Sequence, residues 1–578
     1  MLTSKKCLFW EGLFKEKVFL VAILLLAFFL RTVSLGEIPP SLARDEASIG
    51  YTAYSILKTG RDEHGVFLPL SLKSFGDWKL PLYVYLDIPF VFLFGLKEWV
   101  VRFPSALFGT LTVFLVYLLV KELFANSKPQ YLSILVSLLS SLFLTLNPWH
   151  FYFSRISYES NLALFLTALG ALLFLQKNFL VSSLCFGLTM FTYHGAHVFT
   201  PIFVLGLVCL FWPKIKKERF FSCFLLLFFG FTFLAYFLTL SQAGRTKMGG
   251  TGFFNDPVVT YFRSERKRAE HNQINFLVRL IHNRFLIFPY QIGQNYLRVF
   301  SPSFLFDEGG ENPLHNLEEF GNFYLLDALL FGAGIVFLLW QRKKEVKFLA
   351  WWILASPVAS SITKDSPHSA RSLTIVPPLI IIAAFGFWHF WLFLRQKGFL
   401  GRLSFFFLLS CLLFSVGWYF EAYFIHFPLN RARFFNYGYK QAVELAQALP
   451  GAQKVVMIGV ENSPYIYFLF YEKYDPERFR QEVEYYPPTA DLFYHVKSFG
   501  RFEFTNIVDW GLASRFPNTL FIDVVRGVPR DFPIDGCIRL PSGEPHLAWY
   551  STLPEEDKRE AKEKFPSCDL SYLWKERE

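Results

Sequence analysis

Asp45 and Glu46 form an acidic pair shortly after the first long apolar run of the chain, within IPPSLARDEASIGYTAYSILKTGRDEHG, and Lys79 follows in GDWKLPLY. A carboxylate can take a proton from an attacking hydroxyl. A cation beside it can neutralise a phosphate leaving group. Held at one water–lipid boundary, such a pair suits transfer of a group from a lipid phosphate to a hydroxyl. Both acids also have a plain structural use. After Asp45 the apolar residues Ile49, Ala53, Ile56 and Leu57 recur at i, i+4, i+7 and i+8, one face of a helix lying on the membrane surface and closed by Gly60. In that setting Asp45 is a cap for free backbone N–H groups and Glu46 a solvated neighbour.

Other residues able to do chemistry lie further on. Glu159 and Arg155 share the stretch NPWHFYFSRISYES (Asn147–Ser160). His368 and Arg371 share SPHSARSLTIVPPL (Ser366–Leu379) and suit contact with a phosphate or an acceptor. The bland alternative for Arg155 is an arginine whose head snorkels to the membrane surface. For His368 and Arg371 it is a topological role, although an external arginine runs against the usual charge bias. His194 and His197, next to Tyr193, have the i, i+3 spacing of metal ligands, but no third ligand is spaced for them. His315 near Glu318 and Glu319 is a similar case. A divalent metal is therefore left open but not indicated, and no cofactor is assigned. Arg31, at the end of the first apolar run, reads as an interfacial anchor.

The elements that must position these residues follow from composition. The chain has 578 residues, 53% apolar and 18% charged, with 72 phenylalanines and a mean hydropathy of +0.32. A soluble chain carries roughly a quarter charged residues. These proportions exclude a soluble enzyme, a disordered chain and a fibrous one. The apolar runs are too long and unbroken for a β-barrel. The net charge of +10 does not point to nucleic acid, because the basic residues form short clusters between apolar runs and make no one-sided basic domain.

A polytopic α-helical membrane protein is thus expected, with about eleven spans: 18–35, 99–123, 131–147, 160–176, 179–194, 197–212, 219–241, 322–340, 347–362, 374–394 and 403–420. With the N-terminus in the cytoplasm, the connections holding Lys121 and Lys128, Lys177, the cluster from Lys214 to Arg219, Arg342 to Lys347, and Arg395 to Arg402 all fall inside. The opposite connections, 36–98, 148–159, 242–321 and 363–373, carry acids, histidines and aromatics. No small-x-small cleavage site follows Leu35, so the first span is expected to be an uncleaved anchor. An odd span count places the tail, 421–578, on the extracytoplasmic side of the cell membrane.

In the tail the apolar runs shorten to strand length. Lys454–Val460 and Thr519–Val525 predict buried strands, and Gly438–Leu449 and Ser463–Tyr474 predict helices, a small α/β domain without a phosphate loop. Cys185, Cys209, Cys223 and Cys411 fall in spans and Cys7 in the cytoplasmic leader. Cys537 and Cys568 are the two expected outside, where a disulfide is an open alternative to two free thiols.

Taken together, the acidic pair after the first span, the TG…G…P that follows it, KLPLY, RFPSALFG (Arg102–Gly109), the Asn147–Ser160 stretch, HNLEEFGNFYLL (His315–Leu326) and Ser366–Leu379 resemble the GT-C membrane glycosyltransferases. The similarity is to the branch holding protein O-mannosyltransferases and the aminoarabinose transferase of lipid A, and it covers about residues 1–400. It implies a polyprenyl-phosphate sugar donor, a hydroxyl-bearing glycan, lipid or protein acceptor and, usually, inversion at the anomeric carbon. It implies that Asp45 is the general base, that Glu159 stands where the family often has aspartate, and that Lys79 binds donor phosphate. The family often has two prolines after that lysine; here Leu80 precedes Pro81. Arg371, His368 and Arg155 would assist at the phosphate. Residues 1–420 would form the transmembrane transferase, with its active site on loop 36–98, and 421–578 the soluble domain.

Three competing functions have features against them or remain open. A nucleotide-sugar enzyme typically uses closely spaced acids on a metal diphosphate, yet no Asp-x-Asp occurs in the chain. A transporter or flippase of lipid-linked sugars places ionisable groups near mid-membrane, whereas here the expected span centres are nearly free of charge. A non-catalytic scaffold with an external binding domain is the third alternative.

Overall fold

The computed structural model describes residues 2–75, 77–125, 131–239, 261, 264–265, 283–317, 319–341, 345–489 and 494–568. Lys128, Glu318 and Arg342–Lys344, and much of the connection 242–321, lie outside the described residues. The chain opens with α1 (Leu2–Thr32), and its first loop then folds into α2 (Arg44–Thr59), the hairpin β1 (Leu72–Ser74) and β2 (Asp77–Lys79), and α3 (Leu82–Phe94), ahead of α4 (Glu98–Leu123). Further helices are α5 (Tyr131–Leu146), α6 (Pro148–Phe153), α7 (Glu159–Leu175), α8 (Phe179–Thr189), α9 (Ala196–Ile215) and α10 (Phe221–Thr239). After them come Asp327–Trp340, Glu345–Ala355, Val376–Arg395 and Gly398–Glu421.

Each of the eleven expected spans falls on a helix, but not all are long. Among the described residues five helical stretches are long and apolar enough to cross a membrane: Glu98–Leu123, Ala196–Ile215, Phe221–Leu238, Ser369–Arg395 and Gly398–Asn430. Five more apolar helices have 10–17 residues, among them α3. At 1.5 Å per residue, the 13 residues of α3 reach about 20 Å, short of a bilayer core of about 30 Å. An apolar helix inside the first loop was not expected from the sequence, where Lys79 precedes only an amphipathic segment. Phe92, Leu93 and Phe94 at its end are exposed.

The described chain forms two compact units, one of residues 1–33 with 105–422 and one of residues 34–104 with 423–578. The first is the helical unit. Gly334 and Gly386 let two of its helices touch backbone to backbone, since a Cβ on either would overlap the other helix. Arg31 is a correction to the expected anchor. It is fully buried, and its guanidinium meets His150 Nδ1 at 2.9 Å and donates to the carbonyls of Leu144 and Thr145.

The second unit joins the first loop to the tail, a division that differs from a boundary at 420 alone. The tail holds a seven-stranded sheet in the order β4-β5-β6-β3-β7-β9-β8. Its strands are β3 (Lys454–Ile458), β4 (Glu484–Tyr485), β5 (Val496–Phe499), β6 (Phe502–Thr505), β7 (Thr519–Val524), β8 (Gly536–Arg539) and β9 (Pro545–Ser551). β3 runs parallel to both β6 and β7, and the outer pairs are antiparallel. The expected strands β3 and β7 and the helices Tyr439–Ala448 and Tyr465–Tyr471 are present. One face packs Val456, Trp510, Phe521, Val525 and Ala548 into a core, and Cys537 in that core is disulfide-bonded to Cys568.

Helix α2 departs from expectation. Ile49, Ala53 and Ile56 are 1%, 0% and 5% exposed, packed inside the protein against α3 and the tail helix Tyr465–Tyr471. Gly50 sits where a Cβ would collide with Val101 and the Phe470 ring, so only a bare backbone fits there. The apolar stripe therefore faces protein rather than lipid.

Candidate active site

In the loop–tail unit, Lys79 Nζ lies 3.0 Å from Asp45 Oδ1. It also donates to the Asp45 carbonyl at 3.2 Å and to Ser74 Oγ at 3.3 Å, and Ser74 Oγ in turn meets Ser48 Oγ at 2.7 Å. The β1–β2 hairpin pairs Leu72 with Lys79, which brings the lysine stem back over the first turn of α2. The Lys79 side chain is 8% exposed whereas that of Asp45 is 48% exposed. The cation is thus held in place and the carboxylate remains open on one side.

Glu46 is not a solvated neighbour, as its position beside Asp45 suggested. Arg102 grips it in bidentate fashion, Nε to Oε1 and Nη2 to Oε2 at 3.0 Å each, and neither side chain is more than 1% exposed. The Ala43 N–H donates to Glu46 Oε2 at 2.9 Å. The N-cap residue of α2 is therefore Ala43, closed by the Glu46 side chain, and the capping expected of Asp45 falls to Glu46. Arg102 also donates to the carbonyls of Leu35 and Pro39. Placed among the candidate catalytic acids, Glu46 here fixes the entry to α2 through a buried pair.

In the helical unit a second polar group forms around Glu159, the first residue of α7. Tyr158 Oη and His315 Nε2 are 2.7 Å apart, and the His315 and His368 rings are 4.7 Å apart. Arg371 donates to Thr363 Oγ1 at 2.9 Å and to the Lys364 carbonyl at 2.7 Å. Arg371 also shares a hydrogen bond with Tyr193, which is close enough to Glu159 to feel its charge. Burial, and then the charges of Arg371 and His315, hold the His368 imidazole well below its usual range. His368 is thus a neutral hydrogen-bonding group. Arg155 does not snorkel: it is fully buried and donates to the Leu30 carbonyl at 2.7 Å. His197 donates from Nε2 to the Met190 carbonyl at 2.6 Å, and its ring lies 5.6 Å from that of His194.

Asp45, Lys79 and Glu46 are therefore grouped in one unit, and Glu159, Arg371 and His368, with Tyr193, in the other. Arg102, Ser74, Tyr158 and Thr363 were not singled out from sequence. Arg102 and Tyr158 lie inside motifs that were, Tyr158 beside Glu159 but Arg102 56 positions from the Glu46 it holds. Ser74 and Thr363 carry no local signal.

Residues 79–241 match the family described as dolichyl-phosphate-mannose-protein mannosyltransferase. In fold the chain is similar to apo ArnT from Cupriavidus metallidurans, with a TM-score of 0.50 and 12% identity over 94% of this chain and 99% of that one. The same protein bound to undecaprenyl phosphate matches at a TM-score of 0.49 and 12% identity, covering 93% and 98%. The oligosaccharyltransferase AglB from Archaeoglobus fulgidus, in complex with an inhibitory peptide and a dolichol-phosphate, matches at 0.47 and 13% identity over 80% of this chain and 64% of that one. The chain spans just under two thirds of that enzyme's length. No curated protein matches the chain in sequence. The fold is thus similar to that of ArnT, with several apolar helices and a sheet-rich C-terminal domain. Over residues 79–241 the chain is mannosyltransferase-like.

Proposed function

We propose that this chain transfers a sugar from a polyprenyl-phosphate donor to a hydroxyl-bearing acceptor at the outer face of the cell membrane. The observation that carries the proposal is the 3.0 Å pairing of a half-open Asp45 carboxylate with a tethered Lys79 ammonium. In the reaction the acceptor hydroxyl oxygen attacks the anomeric carbon while Asp45 takes its proton. The bond from that carbon to the phosphate oxygen breaks through an oxocarbenium-like centre, and the polyprenyl phosphate leaves with the electron pair. Lys79 offsets the charge that gathers on that phosphate. One displacement from the face opposite the phosphate inverts the anomeric carbon.

The polar group of the helical unit fits the same chemistry. Arg371 is a fixed cation for a phosphate, His368 offers one neutral hydrogen bond, Glu159 is a second acid, and Arg155 holds the nearby backbone. The match to a dolichyl-phosphate-mannose family over 79–241 supports a lipid-linked donor and makes mannose the first sugar to try.

Mass spectrometry of envelope glycans and glycolipids, with and without the gene, tests the reading. A sugar should disappear from one glycan class and return with the wild-type gene but not with Asp45→Asn. An unchanged profile would overturn the proposal.

A further inference from the structure

The tail contributes a surface of its own beside Asp45. Its sheet changes side at the centre: after β3 the chain builds β4, β5 and β6 on one side and then crosses to β7 on the other. Ligands of open α/β sheets gather outside the carboxyl ends of the strands at such a switch point. Here the carboxyl end of β3 leads into Gly459–Ser463, with Gly459 at φ 100° and Ser463 at φ 52°, both in the left-handed region. The Val460 N–H donates to Asn506 Oδ1 at 2.9 Å, which ties this loop to the end of β6. The bend leaves Glu461, Asn462 and Asn506 exposed. Ser463 is 2% exposed, and its Oγ is buried with no hydrogen-bond partner.

This edge is fastened to the turn that carries the candidate base. Arg44, the residue before Asp45, donates to the Glu461 carbonyl at 3.4 Å. Tyr467 Oη donates to the Leu42 carbonyl at 3.2 Å. Tyr439 stacks on Tyr467 at 4.9 Å and is hydrogen-bonded to Asn462. The exposed Glu461, Asn462 and Asn506 thus lie on the edge of the tail sheet that is fastened through Arg44 to the turn carrying Asp45. A carboxylate in the set disfavours an anionic ligand, while it and the amides suit the paired hydroxyls of a sugar.

We propose that the loop Gly459–Ser463, with Arg44 and Asn506, is the acceptor site, and that it takes a hydroxyl-rich glycan. The proposal rests on the transferase reading only for the word acceptor; the binding itself can be read without any transfer. The test uses full-length protein in nanodiscs and linear mannotetraose as probe, followed by saturation-transfer NMR. Wild type should show saturation transfer to the probe. Glu461→Ala combined with Asn462→Ala should weaken binding about tenfold, the loss expected for a pair of hydrogen bonds. Glu461→Gln, which keeps size and hydrogen bonding, should lose less, and it stands in should the double variant fold poorly. Absence of binding to wild type, or equal binding by wild type and both variants, would overturn the acceptor site. Either outcome leaves the envelope-glycan test of the transferase reading unaffected.

Discussion

At the residue scale, the pairing of Asp45 with Lys79 makes two separable demands on experiment. Asp45→Asn keeps the size of the side chain, and the cap of α2 belongs to Glu46 and Ala43, so folding should be unchanged. Transfer from a synthetic polyprenyl-phosphate sugar should fall about 10²–10⁴-fold, the usual contribution of a positioned base. Full activity in Asp45→Asn would move the base elsewhere, with Glu159 next in line. Lys79→Ala removes a charge-assisted contact of about 1.5–3 kcal/mol. Its donor saturation curve should shift about 10–100-fold and its acceptor curve much less; equal shifts would take Lys79 away from the donor. His368 offers a test by pH. Its imidazole is depressed by burial, Arg371 and His315. A group depressed on folding stabilises the fold above its unfolded value, about 6.5 for histidine, and that stabilisation is lost as pH falls below it. Melting temperature should therefore decline from pH 7.5 to pH 5, and His368→Gln should flatten the decline. An identical pH profile in the variant would show that His368 is not the titrating group.

At the element scale, α2 is placed by its ends and its packing. Glu46 and Arg102 are both buried, so removing one partner leaves a charge without its counter-ion. Glu46→Gln should cost about 3–5 kcal/mol of stability and show as a lower midpoint in thermal unfolding. Residual folded protein should keep donor binding. A stable Glu46→Gln with lost transfer would instead return Glu46 to the catalytic group. The helix itself was legible in sequence, from the i, i+4, i+7 stripe and the closing Gly60, which adopts φ 68°. Its surroundings were not. Periodicity reports that a face is covered and says nothing about whether lipid, α3 or a tail helix more than 400 residues away covers it.

At the scale of the whole molecule, the first loop and the tail fold as one unit. They must then lie on the same side of the membrane, which is the outside if the basic clusters follow the positive-inside rule. The Cys537–Cys568 disulfide suits an oxidising compartment. Alkaline phosphatase fused after residue 430 should be active, and a cytoplasm-only reporter at the same point silent. The reverse pattern would put Asp45 in the cytoplasm and sink the outer-face assignment.

Composition alone determined that this chain lives in a membrane, because 53% apolar residues and 18% charged ones leave no way to cover a soluble surface. The helices of the spans and strands β3 and β7 also followed from local patterns, since each is set within a few residues of chain. Tertiary structure alone decided the partners of the buried charges. Arg31, Arg102 and Arg155 sit at the ends of apolar helices, where sequence favours a solvated or snorkelling head group, yet each is fully buried. Their neighbours are backbone carbonyls, His150 and Glu46, in the case of Arg31 and His150 119 positions apart along the chain. Desolvating an arginine is tolerable only where the fold delivers several acceptors at once, and no local pattern encodes that delivery.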